Sequence, residues 1–369
     1  MAKQPGKWTM AALLRLALER HASDLHLKAG RPPVLRIDGR VVFTEFASLE
    51  PEETESLAQE VMDDALRRSL AETGGADFSR MLESGERFRL NVFRQRGWVS
   101  VAARHVTRGV PDFGALHLPE ATMAALCERT EGLVVFAGVT GCGKSTTAAS
   151  CVNRINQRRA CHVVTVEDPI EYVFEDAQAF VNQREVGTDV ASFETALRYL
   201  MREDPDVILV GETRDRASCE GMLRAVETGH LVLTTLHAPN APGAVIRILD
   251  LFSERERPLV RESLASNLVA VVGQKLVTCS RRGVGRIPAT EVLLSTPTVR
   301  EMLRQGGEER LGDVIAAGAE QGMHDFTQDL ARLVLEDWVD PRMAYEVAPS
   351  AEALKMAIRG IKVERGILG

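Results

Sequence analysis

The stretch GVTGCGKST, Gly138 to Thr146, fits the pattern G-x-x-x-x-G-K-[S/T]. It follows an apolar run and precedes a helix-period segment, the strand–loop–helix setting that the pattern requires. Gly138, Gly141 and Gly143 let successive backbone N–H groups turn inward around phosphate oxygens. The following helix would add its positive N-terminal end. Lys144 can reach β- and γ-phosphates, and the Ser145 hydroxyl can ligate Mg²⁺. The candidate nucleotide-binding set is therefore Gly138, Thr140, Gly141, Cys142, Gly143, Lys144, Ser145 and Thr146. A phosphate loop does not by itself say what the nucleotide drives.

Two acidic segments supply further chemistry. VILVGETRD, residues 207–215, puts Glu212 and Asp215 just after a four-residue apolar run. A carboxylate at the end of a buried strand beside a phosphate loop can hold Mg²⁺ or an attacking water. Glu212 is thus a candidate for both catalysis and metal binding, with Ser145 as the second metal ligand. VVTVEDPIEY, residues 163–172, ends in Glu167, Asp168 and Glu171, which can ligate metal or accept a proton from water. Which of Glu167 and Glu212 is the base stays open at this level.

ETGHLVLTTLHAPN, residues 227–240, brackets an apolar run with His230 and His237. Seven residues of strand span roughly 23 Å, so the two cannot share one metal ion unless the chain folds back. A parallel strand over 231–236 carries His237 to its C-terminal end, where ligands of open α/β sheets bind, and leaves His230 at the other end. His237 is a candidate γ-phosphate contact. His230 has a packing or capping role open to it equally.

These groups need a scaffold, and the apolar pattern predicts one. Continuous apolar runs at 133–137, 163–166, 207–210 and 231–236 suit parallel strands buried on both faces. Helices are expected at about 146–158, 192–203 and 214–228, the last closed by Gly229. Ser253 and Glu256 form a candidate capping box for a helix running to about Lys275. The tail from about 296 reads as helices between Gly-rich turns. Upstream, 24–28 and 34–38 read as strands, with DGR at 38–40 as a turn into 41–43. Pro51 to about Ala71 reads as one helix. Residues 87–106 alternate around Gly97 as a hairpin. TRGVPDFGALHLP, residues 107–119, has linker composition. The expected domains are an α+β domain over 1–110, a linker over 111–119 and an α/β domain over 120–369.

A chain of 369 residues, 45% hydrophobic and 26% charged, has the makeup of an ordinary two-domain globular protein. Its net charge of −7 gives no general attraction to nucleic acid or anionic membrane. MAALLRLALERH, residues 10–21, is amphipathic and too short to span a bilayer, and the expected location is cytoplasmic. Of Cys127, Cys142, Cys151, Cys161, Cys219 and Cys279, no two are spaced C-x-x-C, so small buried thiols are expected.

Taken in order, the four chemical segments resemble the Walker A, aspartate box (165–172), Walker B (204–212) and histidine box of the secretion-ATPase superfamily. ASDLHLKAGRPPVLRIDGRV (22–41), RFRLNVFRQRG (87–97), VNQREVGTD (181–189) and AVETGHLVLTTLHAPNA (225–241) are similar to segments of the PilT/PilU twitching-motility ATPases of type IV pili. The likeness covers roughly residues 8 to 340. It implies a homohexameric ATPase ring, each subunit joining a PAS-like N-terminal domain to a RecA-like P-loop domain, with ATP and Mg²⁺ as cofactors. It also implies arginines reaching the nucleotide from the N-terminal domain, by motif position Arg89, Arg96 and Arg104; arginine stabilises transferring phosphoryl charge. The implied work is pilus retraction at the inner-membrane pilus base, on a PilC-like platform protein, with a paralogous PilT/PilU ATPase as a further candidate partner and no nucleic acid. The short N-terminal region and the missing C-x-x-C favour retraction over extension or type II secretion motors. Val139 and Cys142 depart from the family loop's common Pro and Ser. TVREMLRQ (298–305) keeps Arg300 and Arg304 of a retraction-motor segment but has Glu301 where that segment has Asn. Alternatives are a PilU-like accessory ATPase, an extension or secretion ATPase, and a nucleic-acid translocase; the acidic balance weighs against the last.

Overall fold

The computed structural model describes residues 8–37, 39–106 and 109–361. Asp38 of the expected DGR turn, and Thr107 and Arg108 of the linker stretch, lie outside the described residues. The chain divides into two units, Met1–Gly109 with Glu171–Val173, and Val110–Ile170 with Phe174–Gly369.

In the first unit, helices α1 (Met10–Glu19), α2 (Pro51–Val61) and α3 (Asp64–Thr73) pack on a sheet. Its strands are β1 (Asp24–Lys28), β2 (Val34–Ile37), β3 (Arg40–Phe43), β4 (Gly75–Met81), β5 (Arg87–Gln95) and β6 (Trp98–Val106). Every pairing is antiparallel, in the order β3-β2-β1-β6-β5-β4. Thr9 caps α1 by accepting from the Ala12 N–H, and Met10, Leu13, Leu14 and Ala17 recur at helical spacing on its buried face. They meet Phe88, Leu90 and Val92 of β5 and Val99, Val101 and Ala103 of β6, the alternate residues of the expected hairpin. Its loop is two residues long, Arg96 and Gly97, with φ of 53° and 83°, the positive pair that matches strand twist.

The single helix expected over 51–71 is two. Met62 is extended, at φ −103° and ψ 134°, and the Asp63 carboxylate accepts from the N–H groups of Ala65 and Leu66. An Asp able to cap competes with continuing the helix, and here the cap wins. β4 was not expected; only Ala76 and Phe78 face the core, too weak an alternation to register.

The second unit contains a seven-stranded sheet among the described residues. Its strands are β7 (Gly132–Ala137), β8 (His162–Glu167), β9 (Phe180–Glu185), β10 (Val207–Val210), β11 (Leu231–Leu236), β12 (Leu268–Thr278) and β13 (Arg286–Leu294). Spatial order is β13-β12-β7-β11-β10-β8-β9, parallel throughout except β13 against β12. The helices are α4 (Glu120–Cys127), α5 (Lys144–Arg158), α6 (Phe193–Leu200), α7 (Arg216–Glu227), α8 (Ala241–Asp250), α9 (Arg257–Asn267), α10 (Pro297–Arg304), α11 (Leu311–Ala317), α12 (Phe326–Leu335), α13 (Pro341–Val347) and α14 (Ala351–Ile358). All residues of β7, β10 and β11 are buried, as their apolar-rich runs lead one to expect, each Val or Leu contributing about 1.5–3 kcal/mol. One cluster fills each face of the sheet, and α12–α14 close a third over β12 and β13. No described helix is long and apolar enough to cross a membrane.

The helix expected to run to Lys275 stops at Asn267. The Ser253 N–H does donate to Glu256 Oε2 at 3.0 Å, but α9 starts only at Arg257. The following LVAVVGQKLVT is rich in β-branched residues and pairs with β7 on one side and β13 on the other, so sheet pairing overrides the helical period. This difference brings Gln274 to the phosphate loop.

A buried network locks α12 to β13. Thr290 gives both its N–H (2.7 Å) and its hydroxyl hydrogen (3.0 Å) to Asp329 Oδ2. Its hydroxyl oxygen must then accept from His324 Nε2, 2.9 Å away. Burial pushes the imidazole below its ordinary 6.5; Asp329 and Asp325 oppose this and Arg332 adds to it. The unfolded chain therefore binds this proton first. The contribution is full above pH 6.5 and is lost as pH falls below that value through the folded one. Urea titrations at pH 7.5 and 5.5 should show His324→Gln losing less stability over this interval than wild type, by at most about 1.4 kcal/mol per pH unit. Equal losses would refute it.

Candidate functional site

The loop between β7 and α5 has the local geometry that its glycines predict. Gly141 and Gly143 have φ of 76° and 94°, which residues with a Cβ seldom adopt. At Gly138 the constraint is close approach: a Cβ there would lie 2.4 Å from Cys142 Sγ and 2.6 Å from the Gln274 carbonyl oxygen. Cys142 is buried under the loop and desolvation raises its thiol, so it serves as a small packed group. Lys144 is 7% exposed, and its Nζ donates to the carbonyls of Gly138 (2.9 Å) and Val139 (3.0 Å). Ser145 and Thr140 are exposed, and Thr146 is half-buried.

Four adjacent parallel strands deliver the other groups to the same edge. Ala137 of β7 is level with Leu236 of β11, and the Gly138 N–H bonds the Leu236 carbonyl at 3.2 Å, so His237 emerges beside the loop. Val210 of β10 is level with Thr234 of β11 and Val166 of β8, which puts Glu212 and Glu167 at neighbouring strand ends. His237 Nε2 lies 3.0 Å from Glu212 Oε1. Glu212 Oε2 accepts from Arg214 Nε at 2.9 Å, and Arg214 Nη1 reaches Asp168 Oδ2 at 3.3 Å. Glu167 is buried, its Oε1 accepting from the Thr165 hydroxyl (2.7 Å) and Gln183 Nε2 (3.3 Å).

The remaining candidates separate. His230 sits at the far end of β11. Its Nδ1 lies 2.8 Å from the Ala225 carbonyl and 3.1 Å from the Thr228 hydroxyl, so it finishes the last turn of α7. Asp215 caps α7 in a capping box with Ser218, and the Ser218 N–H and hydroxyl hold its carboxyl below the usual range. Glu171 falls in the first unit.

Within the first unit, Arg89 and Arg104 are direct partners across β5 and β6, both exposed on the face opposite the core. Like charges at such positions repel. Asp24, next in the same row on β1, answers this by accepting from Arg104 Nε at 2.8 Å. Burial raises the Asp24 carboxyl, but hydrogen bonds from Ser23 and Arg104 outweigh it and leave it below its ordinary value. Arg96 is at the hairpin tip, seven residues from Arg89 and so roughly 23 Å along the strand, and does not join this pair.

Two residues at the sheet edge had no sequence signature. Arg214 joins Glu212 to Asp168; it lay in view inside GETRD, but an arginine between two acids marks nothing. Gln274 of β12 donates from Nε2 to the Cys142 carbonyl and accepts from the Thr147 hydroxyl, both at 2.8 Å.

Among the described residues no three His, Cys, Asp or Glu side chains gather into a metal cage. The oxygen donors at this edge, the Ser145 hydroxyl and the Glu212 and Glu167 carboxylates, are hard ligands. A sparse set of this kind fits Mg²⁺ held largely by phosphate and water.

Residues 100–321 match the family described as type II/IV secretion system protein. The chain is 38% identical to the type IV pilus ATPase PilU of Pseudomonas aeruginosa over 94% of its length and 90% of PilU's. It is 36% identical to the type IV pilus retraction ATPase PilT of the same organism, over 92% and 98% of the two chains. A crystal structure of the pilus retraction motor PilT with bound ADP matches it with a TM-score of 0.87 at 40% identity, covering 94% of this chain and 99% of that one.

Proposed function

We propose that this chain, which belongs to the type II/IV secretion system protein family and within it to the type IV pilus ATPases, is the ATP-driven motor that retracts a type IV pilus. The observation that carries the reading is the convergence of Gly138, His237, Glu212 and Glu167 at one edge of four adjacent strands.

ATP is the substrate. Backbone N–H groups of the loop and the N-terminal end of α5 cradle its phosphates, and Lys144 turns from the Gly138 and Val139 carbonyls to the β- and γ-phosphates. Ser145 and Glu212 would hold Mg²⁺, which would supply neutralisation of the phosphate charge. Glu212, paired with the Arg214 guanidinium and 3.0 Å from His237 Nε2, suits the charged, metal-organising role. Glu167, held by a hydroxyl and an amide, suits the base: it takes the proton as water oxygen bonds to the γ-phosphorus and the bridging bond to ADP breaks. His237 faces the γ-phosphate, with its Nε2 3.0 Å from Glu212 Oε1. Arg89 and Arg104 are the preferred candidates for stabilising phosphoryl charge in the assembled ring, with Arg96 the weakest of the three.

Several features come with this reading. The chain forms a homohexamer on the cytoplasmic side of the inner membrane, at the pilus base, and its partner is a PilC-like platform protein. A second reading, a PilU-like accessory ATPase, is supported by the comparable identity to PilU. It also has Glu301, which sits on α10 and accepts from Gln305 Nε2 at 2.7 Å. Deleting the gene and imaging surface pili tests the function. Excess pili with lost twitching is expected. Bald cells would overturn retraction in favour of assembly, and unchanged piliation with unchanged twitching would overturn a sole retraction motor.

A further inference from the structure

We infer that Gln274 is a positioning residue for the phosphate loop, a clamp that keeps the loop in its nucleotide-ready shape. The inference rests on loop 138–146 holding the nucleotide phosphates.

A loop that turns its N–H groups toward phosphate turns carbonyls away from it. Those carbonyls need partners of their own. Lys144 Nζ serves the carbonyls of Gly138 and Val139, but a lysine that moves to phosphate leaves them. The Cys142 carbonyl has a partner that does not have to leave, Gln274 Nε2 at 2.8 Å. The amide is held in that orientation at its other end, because Gln274 Oε1 accepts from the Thr147 hydroxyl at 2.8 Å. One side chain thus joins the loop before Lys144 to the helix after it. Gln274 is 4% exposed, so water does not compete freely for either bond.

Steric contact points the same way. A Cβ on Gly143 would lie 2.7 Å from Gln274 Nε2, and one on Gly138 would lie 2.6 Å from the Gln274 carbonyl oxygen. Both glycines are therefore shaped by the approach of this residue as well as by phosphate. The clamp stands on a fixed base. Gln274 pairs with Thr290 in the β12–β13 register. The next residue, Lys275, donates from Nζ to the Val347 carbonyl at 2.9 Å and lies 4.6 Å from the Phe326 ring centroid, which anchors β12 in the C-terminal helices.

The test compares Gln274→Met, Gln274→Glu and Thr147→Val in the full-length protein, using fluorescent ADP binding together with KM and kcat for ATP. Met keeps the volume and removes both hydrogen bonds. Glu keeps the acceptor for Thr147 and loses the donor to Cys142. The expected result for Gln274→Met is a rise of about tenfold in ADP Kd and ATP KM, with a smaller fall in kcat. Gln274→Glu should bind no better than Gln274→Met, whereas a role in space-filling alone would leave Glu near wild type. Thr147→Val should weaken binding in the same direction, and the double variant should be little worse than Gln274→Met alone. The inference is overturned if Gln274→Met binds within twofold of wild type, or if the losses from Gln274 and Thr147 multiply independently. Should the Gln274 variants fail to fold, Thr147→Val decides, and binding within twofold of wild type overturns the clamp. Lys144→Ala is run alongside. Lost binding there with intact binding in Gln274→Met defeats only the clamp; intact binding in Lys144→Ala defeats the phosphate-loop reading and the clamp together.

Discussion

Lys144→Ala is expected to lower kcat/KM for ATP by a factor on the order of 10²–10³ and to leave a folded protein. The magnitude follows from removing one preorganised cation from the transferring phosphoryl group. Folding should survive because Lys144, among the described residues, bonds two loop carbonyls and forms no ion pair. The Gly138 and Val139 carbonyls lie at a loop that water can reach from the exposed side of Val139 and Thr140. Thermal unfolding separates the two effects. A lost rate with an unchanged midpoint supports the assignment. A lost rate that tracks a collapsed midpoint would make Lys144 a structural residue.

The second large effect distinguishes the two glutamates. Glu167→Gln is expected to reduce kcat by about 10²–10⁴ while leaving ATP binding near wild type, because the base acts only on the proton of the attacking water. Glutamine can keep the contact with Thr165, so the buried position should stay filled. Glu212→Gln should behave differently. It removes the charge that pairs with Arg214 and faces His237, leaving the guanidinium without its nearest carboxylate and weakening Mg²⁺ binding. The expected signature is a reduced rate together with a raised Mg²⁺ requirement, read from phosphate release across a Mg²⁺ titration. If Glu167→Gln shows the altered Mg²⁺ requirement and Glu212→Gln does not, the two roles are exchanged.

Features governed by near neighbours were the ones legible in the sequence. The phosphate loop depends on glycines and a lysine within nine residues, and the structure keeps that local geometry. The strands β7, β8, β10 and β11 were marked by apolar-rich runs because burial on both faces favours apolar residues, and the threonines among them, Thr165, Thr234 and Thr235, each use their hydroxyl in a hydrogen bond. Spacing along a strand separates His230 from His237, and the two sit at opposite ends of β11. What stayed hidden was decided by distant partners. Gln274 and Cys142 are 132 residues apart, and the strand that unites them looked like the tail of a helix because Ser253 and Glu256 supplied a start signal. The local signal was real, since that contact forms, but pairing with β7 and β13 outweighed it. Met62 and Asp63 show the reverse, a local cap breaking a helix that apolar spacing would have continued. Arg214 was visible but mute, because its meaning depends on Asp168, 46 residues earlier, arriving at the adjacent strand end.

The central claim is that this sheet edge hydrolyses Mg²⁺-ATP unaided by a second ATPase. It is tested most directly by phosphate release from the purified wild-type chain alone, with Mg²⁺ present and then removed by a chelator. Steady turnover that stops on chelation and returns with added Mg²⁺ is the predicted result. A folded, nucleotide-binding chain that releases no phosphate, or one whose turnover ignores the chelator, would contradict it.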